Sequence, residues 1–163
     1  MRFHTPLAFF LGLAIGVASQ SSLAQDGRLP GVNGVNHLAF ATAHYDEMRA
    51  FYTGTLGFPE AFTRRNAAGQ PTLTYLQVSR DTFVELMPAG ANRPPGFTHF
   101  GLHVDDVRAV AARLRERGLD VGEPRTIGSG SLTVNLTDPD GNRFEVSELP
   151  PDSPARQAMD AWR

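Results

Sequence analysis

One pattern of residues occurs twice in this chain, and a duplicated unit limits the fold more than any single motif does. Residues 35–88 open with a histidine in the apolar run VNHLAFA, pass through an amphipathic stretch and close on a glutamate in TFVELMP. Residues 97–149 repeat this order, from FTHFGLHV through DDVRAVAARLRERGL to NRFEVSEL. The marked residues are His37 and Glu85 in the first copy and His99 and Glu145 in the second. The interval between the histidines and that between the glutamates differ by two positions. Such regularity predicts two copies of one supersecondary module sharing a core, which 163 residues can accommodate.

Each copy reads as βαβββ. In the first, strands are expected over 35–41, 58–65, 72–78 and 82–87, with a helix over 45–56 whose buried stripe is Met48, Phe51, Tyr52 and Leu56. Gly57 is its expected stop. Residues 89–96 have the Pro and Gly content of a linker. In the second copy, strands are expected over 97–104, 119–126, 131–136 and 143–148. Asp105 is the expected N-cap of a helix burying Val107, Val110, Ala111 and Leu114. The tail 150–163 is expected to pack a last helical turn on the surface. The fold class is therefore α+β: two βαβββ modules, and a sheet with its helices on the convex side would be a cup with its other face inside.

Alternation along a strand decides which side chains share a face. Val35, His37 and Ala39 point one way, and Leu38 and Phe40 point towards a helix. By the same rule His99 goes with Phe97, Gly101 and His103, Glu85 with Phe83 and Met87, and Glu145 with Arg143 and Ser147. All four marked residues lie opposite the more apolar face, hence on the hollow side of the cup, where a pocket belongs. A lone strand histidine is usually just hydrogen-bonded and a lone glutamate solvated; recurrence at matched positions is what gives these four weight. Two imidazoles and two carboxylates make an N2O2 set for one divalent ion, Ni, Co, Zn, Mn or Fe, at about 2.0–2.2 Å. The chain contains 0 cysteines, which removes thiolate ligands, thiol nucleophiles and disulfides. His103 lies roughly 13 Å beyond His99, too far for the same ion. It is either an ordinary hydrogen-bonded histidine or, with Phe83, Met87 and Arg143, a lining of the substrate pocket.

The amino terminus differs in kind. Arg2 precedes an apolar run over 7–18, and Ser22 and Ala24 are small residues that suit signal peptidase. Residues 1–24 are therefore expected to be an export signal followed by a leader over 25–34, with the protein periplasmic or secreted and not stably inserted in a membrane. A retained anchor is the competing reading. A net charge of −2, without a basic stripe, gives no electrostatic case for nucleic acid.

The runs FYTGTLGF at 51–58, FVELMP at 83–88, HFGLHVDDV at 99–107 and DPDGNRFEV at 138–146 resemble the vicinal oxygen chelate superfamily, which includes glyoxalase I, methylmalonyl-CoA epimerase, extradiol dioxygenases and resistance proteins for fosfomycin and bleomycin. The resemblance implies that the two βαβββ modules form a cupped, barrel-like mixed sheet, helices on the convex side, around a metal with open coordination positions. It also implies that His37, Glu85, His99 and Glu145 match the His/Glu/His/Glu set of glyoxalase I. Epimerases have a similar set, whereas dioxygenases and fosfomycin enzymes use two His and one Glu. A second carboxylate therefore leans towards lyase or isomerase chemistry on a small oxygenated substrate, with Glu145, or in second place Glu85, moving the proton. A non-catalytic binding protein and an iron-dependent dioxygenase are the alternatives within the family. An export signal is at odds with glutathione or CoA substrates. Relatives build the site within one chain or across a homodimer, and both arrangements are open here.

Overall fold

The computed structural model describes residues 28–163, so the export signal expected over 1–24 and the first residues of the leader lie outside the described residues. The described chain runs β1 (Val32–Thr42), α1 (Tyr45–Ala50), β2 (Glu60–Arg65), β3 (Pro71–Ser79), β4 (Thr82–Pro88), β5 (Gly96–Val104), α2 (Val107–Glu116), β6 (Arg125–Thr126), β7 (Leu132–Thr137), β8 (Arg143–Glu148) and α3 (Pro154–Ala161). The strands form one curled mixed sheet, a half-barrel, in the order β2-β3-β4-β1-β5-β8-β7-β6. Outward from the centre, β1-β4-β3-β2 is matched by β5-β8-β7-β6. Within each half the first and last strands are parallel, β1 with β4 and β5 with β8. Parallel neighbours need a crossover, which α1 and α2 begin. The halves meet where β1 runs antiparallel to β5.

The helix α2 buries the stripe read from its periodicity, Val107, Val110, Ala111 and Leu114, against Val104, Val134, Leu136 and Val146. Each such side chain contributes about 1.5–3 kcal/mol by leaving water. Its cap is Asp106 rather than Asp105. Asp106 Oδ1 accepts from the Arg108 and Ala109 amides at 2.9 Å, while Asp105 Oδ1 accepts from Asn33 Nδ2 at 2.9 Å.

Other expectations needed correction. The first helix turns π-helical over Phe51–Thr55, with the Leu56 amide donating to Phe51 O at 3.1 Å. The wider turn breaks the spacing on which the stripe was read. Met48 and Tyr52 pack against Leu76, Val84 and Leu86, but Phe51 and Leu56 are exposed. The strand expected over 119–126 shrinks to Arg125–Thr126. Pro124 has no N–H to donate to a ladder, and the Arg115 guanidinium takes the Val121 and Gly122 carbonyls at 2.8 Å. On β1, Leu38 is 40% exposed instead of helix-covered. A register shift between Ala39 and Phe40 turns Phe97 to pack edge-on against Phe40, away from His99, and leaves it 52% exposed.

The tail also differs from expectation. α3 is capped by Ser153, whose Oγ accepts from the Arg156 amide at 3.3 Å, and it buries Ala155 and Met159 against Tyr75, Phe83 and Leu149. These partners belong to the concave face, so α3 sits inside the cup whereas α1 and α2 cover its back. Among the described residues no helix is long and apolar enough to cross a membrane.

Candidate metal centre

Strand register carries the four marked residues onto the middle of the sheet. Across β1 and β4, Phe83 pairs with His37 and Glu85 with Ala39. Across β1 and β5, His37 pairs with Gly101 and Ala39 with His99, and across β5 and β8 Gly101 pairs with Glu145. Directly paired residues project from the same face. His37, Glu85, His99 and Glu145 therefore surround one point on four adjacent strands, and they are 2%, 5%, 8% and 8% exposed.

His37 Nε2 lies 3.6 Å from Glu85 Oε2 and 3.7 Å from Glu145 Oε2. His99 Nε2 lies 3.8 Å from Glu85 Oε2 and 3.7 Å from Glu145 Oε1. These separations, all above 3.5 Å, lie beyond ordinary hydrogen-bond length, about 2.7–3.2 Å. They are slightly wider than the roughly 3.0–3.5 Å between neighbouring ligands each about 2.1 Å from a shared ion. Ligand atoms of His37, Glu85 and His99 lie within 4.8 Å of one another. Both Nε2 atoms and Glu145 Oε2 are buried without a hydrogen-bond partner. Buried polar atoms are rarely orphaned unless something else satisfies them.

The other nitrogen of each imidazole is engaged, and its partner fixes the tautomer. Asn36 donates through Nδ2 to Asp81 O at 3.1 Å, which turns its Oδ1 to accept from His37 Nδ1 at 3.2 Å. Thr98 spends its hydroxyl proton on Ala39 O at 3.1 Å, so its oxygen accepts from His99 Nδ1 at 3.0 Å. With Nδ1 protonated, each Nε2 presents its lone pair to the centre. Gly101 supplies room: a Cβ there would stand 2.1 Å from His37 Cε1.

Burial dominates the electrostatics. It lowers His37 to about 3, aided by His99, and lowers His99 to about 4, aided by Arg143 and Arg93. Both rings are neutral at physiological pH, as metal ligation requires, so the four contacts are not ion pairs. Burial raises Glu85 to about 7 against the opposing pull of a Tyr75 hydrogen bond. It also raises Glu145, against Arg143 and Arg125. The set fits a divalent cation: neutral nitrogen donors, anionic oxygens and orphaned atoms facing one point.

The structure does not bring His103 to this point. It lines a separate cavity of about 940 Å³ with Asn33, Arg80, Asp81, Arg156 and Trp162. Phe83 is fully buried beneath α3, while Met87 is buried and Arg143 is exposed near Glu145. Sequence reading missed Tyr75, whose buried hydroxyl faces Glu85 and Ser129. It also missed residues 127–131, which cross from the second half to the first. A Cβ on Gly128 would stand 3.7 Å from Leu73, and one on Gly130 would stand 3.1 Å from Pro154 and 3.5 Å from Arg64 Nη2. The GSGS composition of 128–131 was the available signal for such a close crossing.

Comparison with known proteins agrees with this geometry. Residues 34–146 match the model of the Glyoxalase/Bleomycin resistance protein/Dioxygenase superfamily. The chain is 28% identical over 158 residues to a 2-epi-5-epi-valiolone epimerase of Actinomyces sp, covering 79% of this chain and 86% of that one. It is 27% identical over 158 residues to a probable chloroplastic lactoylglutathione lyase of Arabidopsis thaliana, covering 86% of this chain but 44% of the relative, less than half of its length. Among solved structures, methylmalonyl-CoA epimerase from Mycobacterium tuberculosis superposes with a TM-score of 0.63 at 20% identity, covering 76% of this chain and 93% of that one. A variant of the Streptomyces coelicolor enzyme in complex with 2-nitronate-propionyl-CoA gives 0.58 at 25% identity, covering 72% and 94%. The chain belongs to the Glyoxalase/Bleomycin resistance protein/Dioxygenase superfamily.

Proposed function

From this membership we propose that the protein is an exported, metal-dependent enzyme that performs lyase- or isomerase-type proton transfer on a small oxygenated molecule. The observation that carries the reading is the pair of buried, neutral, unpartnered Nε2 atoms facing two buried carboxylates. His37, His99, Glu85 and Glu145 would hold one divalent ion, which when bound supplies Lewis-acid stabilisation of charge developing on substrate oxygen. The two carboxylates are not equivalent. Glu85 is held by the Tyr75 hydroxyl, whereas Glu145 keeps one oxygen without a hydrogen-bond partner. Glu145 is therefore the ligand that would release the ion to take a proton from substrate, and burial places its affinity above that of an ordinary carboxylate. Tyr75 and the neutral imidazoles keep the remaining donors in place, and residues 127–131 with α3 limit access of water to the centre. That two sequence relatives are named as an epimerase and a lyase favours this reaction class over oxygenation. Export rests on Arg2, the apolar run over 7–18 and the small residues Ser22 and Ala24.

Metal analysis of the purified protein tests the reading. The wild type should hold a divalent ion, and His37→Ala and Glu145→Ala should each lose it; unchanged metal content in both variants refutes the proposal. Absence of affinity for added Ni, Co, Zn, Mn or Fe would instead indicate a binding protein, and tightly held iron with oxygen uptake a dioxygenase. Accumulation of full-length precursor in the cytoplasm, with no processed form in the exported fraction, would overturn the export part alone.

A further inference from the structure

The chain has no lysine, so all 15 of its basic residues are arginine. Arg49, Arg80, Arg113, Arg115 and Arg156 are each paired with a carboxylate, on Glu60, Asp81, Glu116, Glu123 and Asp160 respectively. None of these five is among the charges acting on the metal-site residues. The arginines that do act there are Arg93 on Glu85 and His99, Arg143 on His99 and Glu145, and Arg125 on Glu145. None of these three pairs with a carboxylate among the described residues.

Topology places two of the three at one end of the cup. β4 is parallel to β1, β5 antiparallel to β1, and β8 parallel to β5, so the C-terminal end of β4 and the N-terminal end of β8 lie at the same end of the sheet, two strands apart. Pro88 ends β4, and Arg93 Nη1 donates to its carbonyl at 3.5 Å. Arg143 begins β8 two residues from Glu145, and its Nη2 donates at 3.5 Å to Asn135 Oδ1. Because Asn135 pairs directly with Glu145, that guanidinium is folded over the ligand-bearing face. Both contacts are long, and a guanidinium carries five N–H donors, so most of this capacity remains uncommitted. Arg125 pairs with Thr133, which in turn pairs with Ser147, so it belongs to the opposite end. At that end Gln77 Nε2 donates to Ala158 O of α3 at 3.2 Å, Leu149 and Met159 close over Phe83, and the cavity of about 940 Å³ opens beside them. Arg93 and Arg143 are both exposed at the other end, away from the residues on which α3 packs.

Resting on the metal-dependent reading above, we infer that Arg93 and Arg143 form an anion-recognition pair at their end of the cup, so that the substrate carries a carboxylate or phosphate group beyond the two oxygens that would meet the ion. Two unneutralised guanidinium groups at one end of the cup repel each other, and an anion accepting from both relieves that repulsion through charge-assisted hydrogen bonds. The pair also orients the substrate, because its anionic end must face Arg143 and its chelating end Glu145.

Calorimetric titration of the zinc-loaded full-length protein tests the inference with three hydroxamates that share a two-oxygen chelating head. Acetohydroxamate has a neutral tail, succinate monohydroxamate a carboxylate and phosphonoacetohydroxamate a phosphonate. At least one anionic tail should tighten binding about tenfold or more over acetohydroxamate. Arg93→Gln and Arg143→Gln should each shrink that advantage, taken as the ratio to acetohydroxamate in the same variant, and the double variant should abolish it. The stronger of the two tails distinguishes a carboxylate from a phosphate substrate. Equal affinity for all three, or an advantage that survives the double variant, overturns the inference while leaving the metal centre standing. Failure of all three to bind a protein that also fails to retain zinc overturns the parent reading, and this one with it.

Discussion

Gly101→Ala is the most demanding perturbation of the centre, because the substitution adds one methyl group and nothing else. A Cβ at this position would stand 2.1 Å from Cε1, 2.5 Å from Nδ1 and 2.7 Å from Nε2 of His37. Carbon atoms in contact sit about 3.5–4.0 Å apart, so the ring must retreat by at least about 1.4 Å. It has nowhere ready to go. His37 is in ring contact with Tyr75 at 5.5 Å and with His99 at 5.3 Å between centroids, and fully buried Phe83 is its pairing partner. Metal ligation tolerates errors of only about 0.2 Å, so the displaced Nε2 is lost to the ion. Divalent-ion affinity should fall by at least about 10–100-fold, the loss seen when even an outer partner of a ligand is removed. Overpacking should also cost the metal-free fold about 1–3 kcal/mol. Cobalt titration followed by d–d absorption reads the first effect, and thermal melting of the metal-free protein reads the second. Gly101 has no positive φ, so the backbone itself accepts alanine, and a strand ordinarily gains from replacing glycine. Full cobalt affinity with unchanged stability in Gly101→Ala would refute the argument that this glycine exists to seat the imidazole. Adding His37→Gly to Gly101→Ala should restore stability without restoring metal, which localises the clash to that ring.

Two other predictions concern the same centre. Burial raises Glu85 to about 7 and lowers His37 to about 3 and His99 to about 4, so uptake of a divalent ion at pH 6 should release most of one proton from Glu85, and at pH 8.5 almost none. Calorimetry in buffers of different ionisation enthalpy counts these protons, and a release at pH 6 that persists in Glu85→Gln would assign it to Glu145, which burial also raises, instead of Glu85. In the metal-free protein the same shifts act on stability with opposite signs: the Glu85 contribution is present below about 4.5 and lost as pH rises through 7, whereas that of the histidines is present above 6.5 and lost as pH falls towards 4 and 3. Tyr75→Phe keeps the stacking on Phe62, at 4.6 Å between centroids, but removes the hydroxyl that holds Glu85. It should weaken cobalt binding about tenfold and change the d–d spectrum with little loss of stability, and a spectrum identical to wild type would show that Tyr75 is only a packing residue.

Much of this architecture is legible in the sequence because it depends on two short-range signals. Period-two alternation sets His37, His99, Glu85 and Glu145 each opposite the more apolar face of its own strand, and 3.6-residue periodicity identifies Val107, Val110, Ala111 and Leu114 as the buried stripe of α2. Where either period is interrupted, the reading fails. A π-helical turn removes Phe51 and Leu56 from their stripe, and a register shift between Ala39 and Phe40 turns Phe97 over. The third kind of failure is non-local. Nothing near residue 155 indicates that α3 will lie inside the cup, since that placement depends on Tyr75 and Phe83, which stand far away in the chain. Tyr75 and Gly101 escaped for a related reason: their importance lies in what faces them across the sheet, and a single strand does not show its partners.

The duplication also explains why the departures from symmetry carry the chemistry. Equivalent positions supply the cage twice over: His37 and His99 each follow a polar residue that fixes the tautomer, Asn36 in one half and Thr98 in the other. A symmetric cage alone could not tell one carboxylate from the other, nor one end of a substrate from the other. The surroundings make that distinction. Tyr75 faces Glu85 on the neighbouring strand, and the repeat places Asn135 opposite Glu145 in its stead. Two residues before Glu85 stands Phe83, sealed under α3, and two residues before Glu145 stands Arg143, open to solvent. One half of the cup is thus closed by aromatic packing and the other carries uncommitted positive charge. Under the proposed function, a substrate bound between them would take one orientation, with Glu145 on its anionic side, and the duplicated scaffold would gain a single direction of proton transfer.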